Sequence, residues 1–171
     1  MYGPTQPLGN ITDQWARIEF QKRDSPHVHS LLWVKEAPNL DTIQGQRDAP
    51  TFIDKFIKTT ISADDDQLKE YVTTYQIHRH THICKKNRTK CHFNFTRQIC
   101  HQTFLKTNLD PVKTTHFYET FRTAEDLWVN ASNPTILKIF QSNMDIQLIG
   151  SKYGAAAYVC AYRKSGIFGV G

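Results

Sequence analysis

Apolar and polar residues alternate through the segment 15–21 near the amino terminus, which predicts a half-buried strand. The apolar side of this strand consists of Ala16, Ile18 and Phe20. A turn signal containing Asp, Ser and Pro follows at 22–26, and the apolar segment 27–34 predicts a second strand. The two strands are close enough in sequence to form a hairpin, with Val28 directed into the core.

Further along the chain, apolar residues recur at helical spacing. After a loop over 36–50, the pattern predicts helices over 51–59, 64–75, 117–129, 134–140 and 154–162. Residues 145–149 form a short candidate strand, whereas 1–10 and 165–171 are irregular ends around one domain over 11–164. Strand pairs without regular strand–helix alternation predict an α+β fold, in which an antiparallel sheet has flanking helices.

The bulk composition is that of one soluble globular domain. The chain has 171 residues, of which 39% are hydrophobic, and no apolar run is long enough to predict a transmembrane helix. The net charge of +5 permits a polyanionic partner without requiring one. The positive charge is concentrated over residues 79–97, which include Lys and Arg but no Asp or Glu.

Two histidines on the second predicted strand are candidate metal ligands. Positions i and i+2 of a strand point the same way, so His27 and His29 present two imidazoles side by side. Imidazoles suit a divalent metal, but two ligands do not complete a site. The facing strand offers Gln21, which lies nearer the turn and is the first choice, or Glu19. The alternative interpretation is two surface histidines without a metal.

Two tyrosines on the last predicted helix are candidate nucleophiles. Tyr158 and Tyr162 are spaced i, i+4 and therefore share one face. A tyrosine can attack a phosphodiester and hold the strand end as a phosphotyrosine ester. Its ordinary pKa is about 10, so ionisation needs help from a metal or from Lys164. The alternative is that both tyrosines simply pack against the sheet.

Three of the four cysteines and five of the eight histidines lie between residues 78 and 101. Zinc prefers four nitrogen or sulfur ligands, often as two close pairs. His80 with Cys84 is one such pair, and Cys91 with either Cys100 or His78 is the other. The spacing matches no standard zinc finger, and the competing interpretation is a basic loop with reduced, unligated cysteines.

The same subregion interleaves cations with aromatic residues. Cations that bind phosphates and rings that stack on bases are what a single nucleic-acid strand requires. The candidate DNA-binding residues are Arg79, Lys85, Lys86, Arg88, Lys90, Phe93, Phe95 and Arg97.

In this order, these motifs resemble the N-terminal Rep domain of eukaryotic Helitron transposases. This domain is also called the Helitron helicase-like domain and belongs to the HUH endonuclease superfamily. The matching segments are 15–23, 25–29, 75–80 with Cys84, 91–95, 143–148 and 153–162. The resemblance covers roughly residues 11–164 and implies an HUH/Rep-like antiparallel sheet with flanking helices and a zinc-binding-like insert over 78–101.

The resemblance also implies an activity and a site. A domain of this family cuts one DNA strand, forms a 5′-phosphotyrosine link and rejoins strands in rolling-circle-type transposition. The positions that match give His27 and His29 as ligands of Mg²⁺ or Mn²⁺, and Tyr158 and Tyr162 as nucleophiles. The Cys/His-rich stretch matches a family region thought to bind zinc.

The resemblance implies single-stranded DNA and the helicase domain of a parent transposase as partners, and the nucleus as the location. Because that helicase is absent from the sequence, the chain is expected to be a fragment of a longer transposase. The alternative function is a catalytically inactive remnant that binds single-stranded DNA, or zinc only, through residues 78–101. A third interpretation is a structural protein that does not bind DNA.

Overall fold

The computed structural model describes residues 6–20, 26–62, 64–81, 84, 91, 93–106 and 117–163, with only the backbone described at 152 and 161–163. The predicted α+β class is confirmed, but the strands form two small antiparallel sheets. In the first sheet β1 pairs with β2, and in the second β3 pairs with β4. The strands are β1 (Ile11–Phe20), β2 (Pro26–Val34), β3 (Phe104–Leu105) and β4 (Tyr118–Glu119).

Four α-helices lie within the described residues: α1 (Ile43–Phe56), α2 (Asp66–Tyr71), α3 (Pro134–Phe140) and α4 (Lys152–Arg163). A π-helical turn, Val72–Gln76, continues α2, and a 3₁₀ turn, Ala124–Asp126, precedes α3. The helix predicted over 134–140 is confirmed, and α4 agrees closely with the helix predicted over 154–162. Among the described residues, no helix has both the length and the apolar character needed to cross a membrane.

Helix α1 begins inside the segment that was predicted to be a loop. The Thr42 hydroxyl caps it by accepting a hydrogen bond from the Gly45 amide at 3.0 Å. Pro50 lies within the helix, where it removes one backbone hydrogen bond. A buried apolar stripe offsets this loss and consists of Ala49, Ile53 and Phe56. The loop prediction was wrong because the cap and the buried stripe outweigh the glycine and proline signals.

The helix predicted over 117–129 is not formed. This segment holds β4 and the 3₁₀ turn instead. The Asp126 carboxylate accepts hydrogen bonds from the Thr123 amide at 3.0 Å and from the Ile61 amide at 2.8 Å. Hydrogen bonds between this side chain and the backbone thus replace the backbone hydrogen bonds of a helix. The strand predicted at 145–149 is also absent, since this stretch is irregular.

The hairpin of β1 and β2 presents the opposite side to water from the one predicted. Ile18, Phe20 and Val28 are 61%, 71% and 57% exposed, so the prediction that they face the core is wrong. His29 and Leu31 are each only 6% exposed and lie on the covered side. The alternation correctly predicts a strand, but the side that packs is reversed near the turn; further along β2, Leu32 on the Val28 side does pack against the core cluster of α1.

Three apolar clusters hold the described elements together. The largest joins α1 to the amino-terminal segment through Leu8, Ile53, Phe56 and Ile57. The second joins the π-helical turn to α3 through Val72, Val129 and Leu137. The third is small and contains Cys84, Cys91 and Phe95, with Trp128 packed against it. Cys84 and Cys91 of the predicted zinc-binding stretch are therefore interior residues, whereas Cys100 is partly exposed.

Candidate functional site

The two hairpin histidines lie side by side on β2. Their ring centroids are 4.5 Å apart at an interplanar angle of 62°. His27 is exposed, whereas His29 is buried. The strand register places Glu19 opposite His27 and Arg17 opposite His29. The i, i+2 spacing thus produces the paired imidazoles that it predicts.

Glu19 is the candidate third ligand that contacts His29. Its Oε2 atom lies 3.3 Å from Nε2 of His29. Gln21, the first choice from sequence, lies outside the described residues. The carboxylate contacts the buried histidine although it is paired in register with the exposed one.

Tyr158 reaches the same histidine from α4. Its hydroxyl lies 3.0 Å from Nδ1 of His29, and the two residues are 129 positions apart in sequence. The two ring centroids are 6.0 Å apart. The backbone of Tyr162 belongs to α4, but its side chain and all of Lys164 lie outside the described residues.

Burial lowers the pKa of His29, and the neighbouring His27 adds to this effect, whereas the hydrogen bond and charge of Glu19 oppose it. The lowered pKa favours a neutral ring near pH 7. A neutral imidazole has one protonated nitrogen and one that accepts. Such a ring can receive a proton or ligate a metal.

Glu19, His29 and Tyr158 therefore form a chain of carboxylate, imidazole and hydroxyl. Each ring nitrogen of His29 faces one of the other two groups. This order of groups activates hydroxyl nucleophiles in enzymes, because the imidazole takes the hydroxyl proton and the carboxylate orients the ring.

A second site is formed by four residues of the Cys/His-rich stretch. The ligand atoms of His78, His80, Cys84 and Cys91 all lie within 4.8 Å of one another and could hold a metal ion. In the part of the chain that the structure describes, no other set of three or more His, Cys, Asp or Glu residues is gathered this closely. The hairpin donors are therefore less closely grouped than these four.

The contacts within the four-residue group match the dimensions of a zinc site. Nδ1 of His80 lies 3.4 Å from Sγ of Cys84, and Nε2 of His78 lies 3.4 Å from Sγ of Cys91. A tetrahedral zinc ion places nitrogen and sulfur ligands about 3.5 Å apart. The predicted pair of His80 with Cys84 is thus present, and the fourth member is His78.

Cys100, the alternative fourth ligand, lies outside the group. Its thiol donates to the carbonyl oxygen of Gln102 at 2.9 Å. Its backbone forms an isolated β-bridge with Arg122. This bridge fixes Cys100 in a different part of the fold from the ligand group.

The surroundings hold the ligand side chains in place. The Thr81 amide donates to Sγ of Cys84 at 3.3 Å, a contact that stabilises a thiolate. The His78 ring stacks on Phe95 with centroids 4.3 Å apart and planes 11° apart. Burial lowers the pKa of His78, and the charges of His80 and Arg97 add to this effect, so the ring favours the neutral form that binds metals.

Trp128 belongs to this environment and was missed in the sequence. Its ring packs edge-on against His80, with centroids 5.0 Å apart. The His78 amide donates to the Trp128 carbonyl at 2.8 Å, beside a β-bridge between Ile77 and Val129. No local spacing signals a contact across some 50 residues, so only the fold reveals it.

The candidate DNA-binding residues differ in accessibility. Phe93 is 51% exposed and Arg79 is also exposed. Phe95 is buried against the ligand group, and the Arg97 guanidinium lies 5.0 Å above its ring. Phe93 is therefore the better placed of the two rings to stack on a base. The other candidates lie outside the described residues: Lys85, Lys86, Arg88 and Lys90.

No family model, no curated protein and no solved structure matches the chain. The geometry of the two sites is therefore the basis for assigning a function.

Proposed function

We propose that the chain is a DNA strand-nicking and strand-transfer domain, the activity implied by its resemblance to Helitron Rep domains. One observation carries the proposal: the hydroxyl of Tyr158 lies 3.0 Å from Nδ1 of His29. A candidate nucleophile and a candidate site histidine, separated by 129 positions in sequence, thus form one hydrogen-bonded pair.

In the proposed reaction, the phenol oxygen of Tyr158 attacks the phosphorus of one phosphodiester. The bond between phosphorus and the 3′ oxygen breaks, and a 5′-phosphotyrosine ester forms. Nδ1 of His29 accepts the phenol proton, while the carboxylate of Glu19 faces Nε2 and stabilises the resulting imidazolium. The leaving 3′ oxygen takes up a proton and becomes a hydroxyl.

Strand transfer is the reverse reaction with a different strand end. A 3′ hydroxyl attacks the phosphotyrosine, the ester bond to Tyr158 breaks, and the phenol recovers its proton. Tyr162 follows one helical turn later on α4, which suits a second nucleophile for a second strand.

The hairpin donors fit a divalent cation in their chemistry. His27, His29 and Glu19 provide two imidazoles and one carboxylate, and the Glu19 and His29 donors already converge at 3.3 Å. This mixed set suits Mn²⁺ better than Mg²⁺, because Mg²⁺ prefers oxygen ligands. With a cation bound there, Nε2 of His29 would act as a ligand and Nδ1 would carry the ring proton, so His29 would not also be the proton acceptor. The cation would then stabilise negative charge on the phosphate in the transition state.

The test is formation of a covalent DNA adduct. The protein is incubated with Mn²⁺ or Mg²⁺ and a pool of random single strands labelled at the 3′ end, then separated on a denaturing gel. We expect a labelled adduct with the wild type that Tyr158→Phe weakens and the double variant Tyr158→Phe/Tyr162→Phe abolishes. Tyr153→Phe is the matched control, since Tyr153 lies on the same helix and is 75% exposed. A wild-type protein that forms no adduct with either metal would refute the nicking function.

A second candidate function has independent support from the group His78, His80, Cys84 and Cys91. In this alternative, zinc stabilises a single-strand DNA-binding surface and no cleavage occurs. It predicts DNA binding that weakens with salt but leaves no adduct. The same gel, run beside a binding titration, distinguishes the two functions.

A further inference from the structure

We propose that a polar pocket beside the π-helical turn binds one unstacked nucleobase of single-stranded DNA, an inference that rests on the proposed DNA-binding function. The pocket has a volume of about 210 Å³. Its lining includes the side chains or backbone of Tyr75, Gln76, Arg79, Asn130 and Asn143. It shares His78 with the four-residue ligand group, and none of its lining residues belongs to the hairpin or to α4.

The pocket lining carries groups that can form hydrogen bonds with the edge of a base. Gln76, Asn130 and Asn143 each carry a carboxamide, which offers a donor and an acceptor side by side. Such groups pair with the donors and acceptors on base edges. None of the described lining residues is Asp or Glu, so no carboxylate repels the phosphates that accompany a base.

Gln76 supplies the observation that points to a ligand. The residue is only 1% exposed, and its Nε2 donates to the Ser142 carbonyl at 3.3 Å. Its Oε1 is buried and has no hydrogen-bond partner among the described residues. Leaving a buried amide oxygen without a donor is unfavourable. An amino group or ring N–H of a base would supply that donor once the Gln76 side chain turns towards the pocket.

The backbone holds the pocket open in a defined shape. Gln76 is the last residue of the π-helical turn, a distortion that occurs often at functional sites. Its carbonyl accepts a hydrogen bond from the Asn130 amide at 2.7 Å. Asn130 Nδ2 in turn donates to the Met144 carbonyl at 2.9 Å. The walls are therefore tied together before any ligand arrives, as is usual for ligand sites.

Size and charge favour one nucleotide of a strand. The volume is below the roughly 300 Å³ at which sites for drug-sized ligands begin, so a single ring system suits it better than two. Arg79 is exposed at the pocket and can contact the phosphate that follows the base. The ring of Phe93 is 51% exposed and lies against His78, with centroids 5.7 Å apart, so its exposed part can contact the next base.

An abasic scan of a labelled oligonucleotide tests this pocket. Affinity is measured by fluorescence anisotropy for strands in which each base in turn is replaced by an abasic site. With the wild type, we expect one position at which loss of the base weakens binding about ten-fold. Asn143→Ala should remove this dependence and leave the salt dependence of binding unchanged, because phosphate contacts are retained. Gln44→Ala, which changes an exposed amide on α1 away from the pocket lining, should retain both.

The outcomes separate this inference from the proposed function. The base-binding proposal would be overturned by any of three results. These are equal effects at every position, a position effect that survives Asn143→Ala, and an absence of DNA binding. Free deoxynucleoside monophosphates are titrated in parallel. Saturable, Asn143-dependent binding of these without a position effect in the strand would overturn the assignment to DNA. A retained position effect with no covalent adduct would refute nicking and support the pocket.

Discussion

The hydroxyl of Tyr158 and Nδ1 of His29 lie 3.0 Å apart and connect α4 to the covered side of the hairpin. His29 is thereby enclosed between Tyr158 and the Glu19 carboxylate. A histidine in this position affects the reactivity of the phenol and also the binding of a metal at the site.

His29→Gln is therefore expected to reduce the rate of adduct formation by at least about 100-fold, because proton transfer by a placed histidine contributes on this scale. Glutamine keeps a polar side chain of similar length, so the fold should be retained. Rates come from the denaturing gel and folding from thermal unfolding. His101→Gln is the control, since His101 is exposed. An unchanged rate in folded His29→Gln protein would remove His29 from the mechanism.

The four-residue ligand group predicts one zinc ion per chain. Metal content measured by mass spectrometry should fall close to zero in Cys84→Ser and Cys91→Ser, whose thiols lie in the group. Cys100→Ser should keep the metal, since its thiol is bonded to Gln102. Retention of zinc by Cys91→Ser, or its loss from Cys100→Ser, would show that the ligand set is different.

Removal of this zinc should also destabilise the fold. A metal present at about 100 times its dissociation constant contributes about 2.7 kcal/mol, which corresponds to at least about 5 °C in Tm for a chain of this size. The expected result is a lower Tm after treatment with a chelator and recovery when zinc is added back. An identical Tm in both states would mean that the group is not a structural metal site.

Asp65 and Lys138 predict a pH dependence of stability. Nζ of Lys138 donates to Oδ2 of Asp65 at 2.5 Å, and this contact lowers the pKa of Asp65 below its usual 3.8. A depressed carboxyl pKa in the folded state contributes stability above the unfolded value, and that contribution is lost as pH falls through the folded value. Asp65→Asn should therefore lower Tm near pH 7, and the difference should vanish well below pH 3.8.

Asparagine keeps the helix cap that Asp65 provides to the Leu68 amide, so this variant tests the charge alone. Asp64→Asn removes the same charge one residue earlier and serves as the control. If the two variants showed the same pH dependence, the contact with Lys138 would not be its cause.

Substitution by alanine is expected to have opposite effects on stability at two glycines. A Cβ atom on Gly45 would lie 1.9 Å from the backbone oxygen of Asn39, so Gly45→Ala should destabilise by about 1–3 kcal/mol or more. Gly154 lies within α4, and a Cβ atom there would lie 3.3 Å from the Ile149 side chain. Gly154→Ala should therefore be neutral or stabilise by up to about 1 kcal/mol. Denaturant unfolding measures both, and a Gly45→Ala protein as stable as the wild type would contradict the close approach.

Spacing along the chain was sufficient to predict which side chains share a side of an element. The pairing of His27 with His29 follows from strand geometry alone, and the pairing of His80 with Cys84 was anticipated. Spacing did not determine which side of the hairpin is covered, because that depends on contacts with distant residues such as Tyr158, which lies 129 positions after His29. This is why Val28 was wrongly assigned to the core.

The choice of His78 over Cys100 also needed the fold. Both residues are close to Cys91 in sequence, but only His78 places its ligand atom in the group, whereas the Cys100 thiol donates to the Gln102 carbonyl. The start of α1 was missed for a different reason. The Thr42 cap and a buried stripe can sustain a helix through a proline, and neither effect appears in a search for loop signals.

The uncovered side of the hairpin has a consequence for handling the protein. Ile18, Phe20 and Val28 place three large apolar side chains in water on a two-stranded sheet. A small sheet with exposed apolar side chains tends to associate through them. We expect the purified chain to self-associate as its concentration rises. Light scattering should therefore be used to check any inactive preparation for aggregates that bury the hairpin.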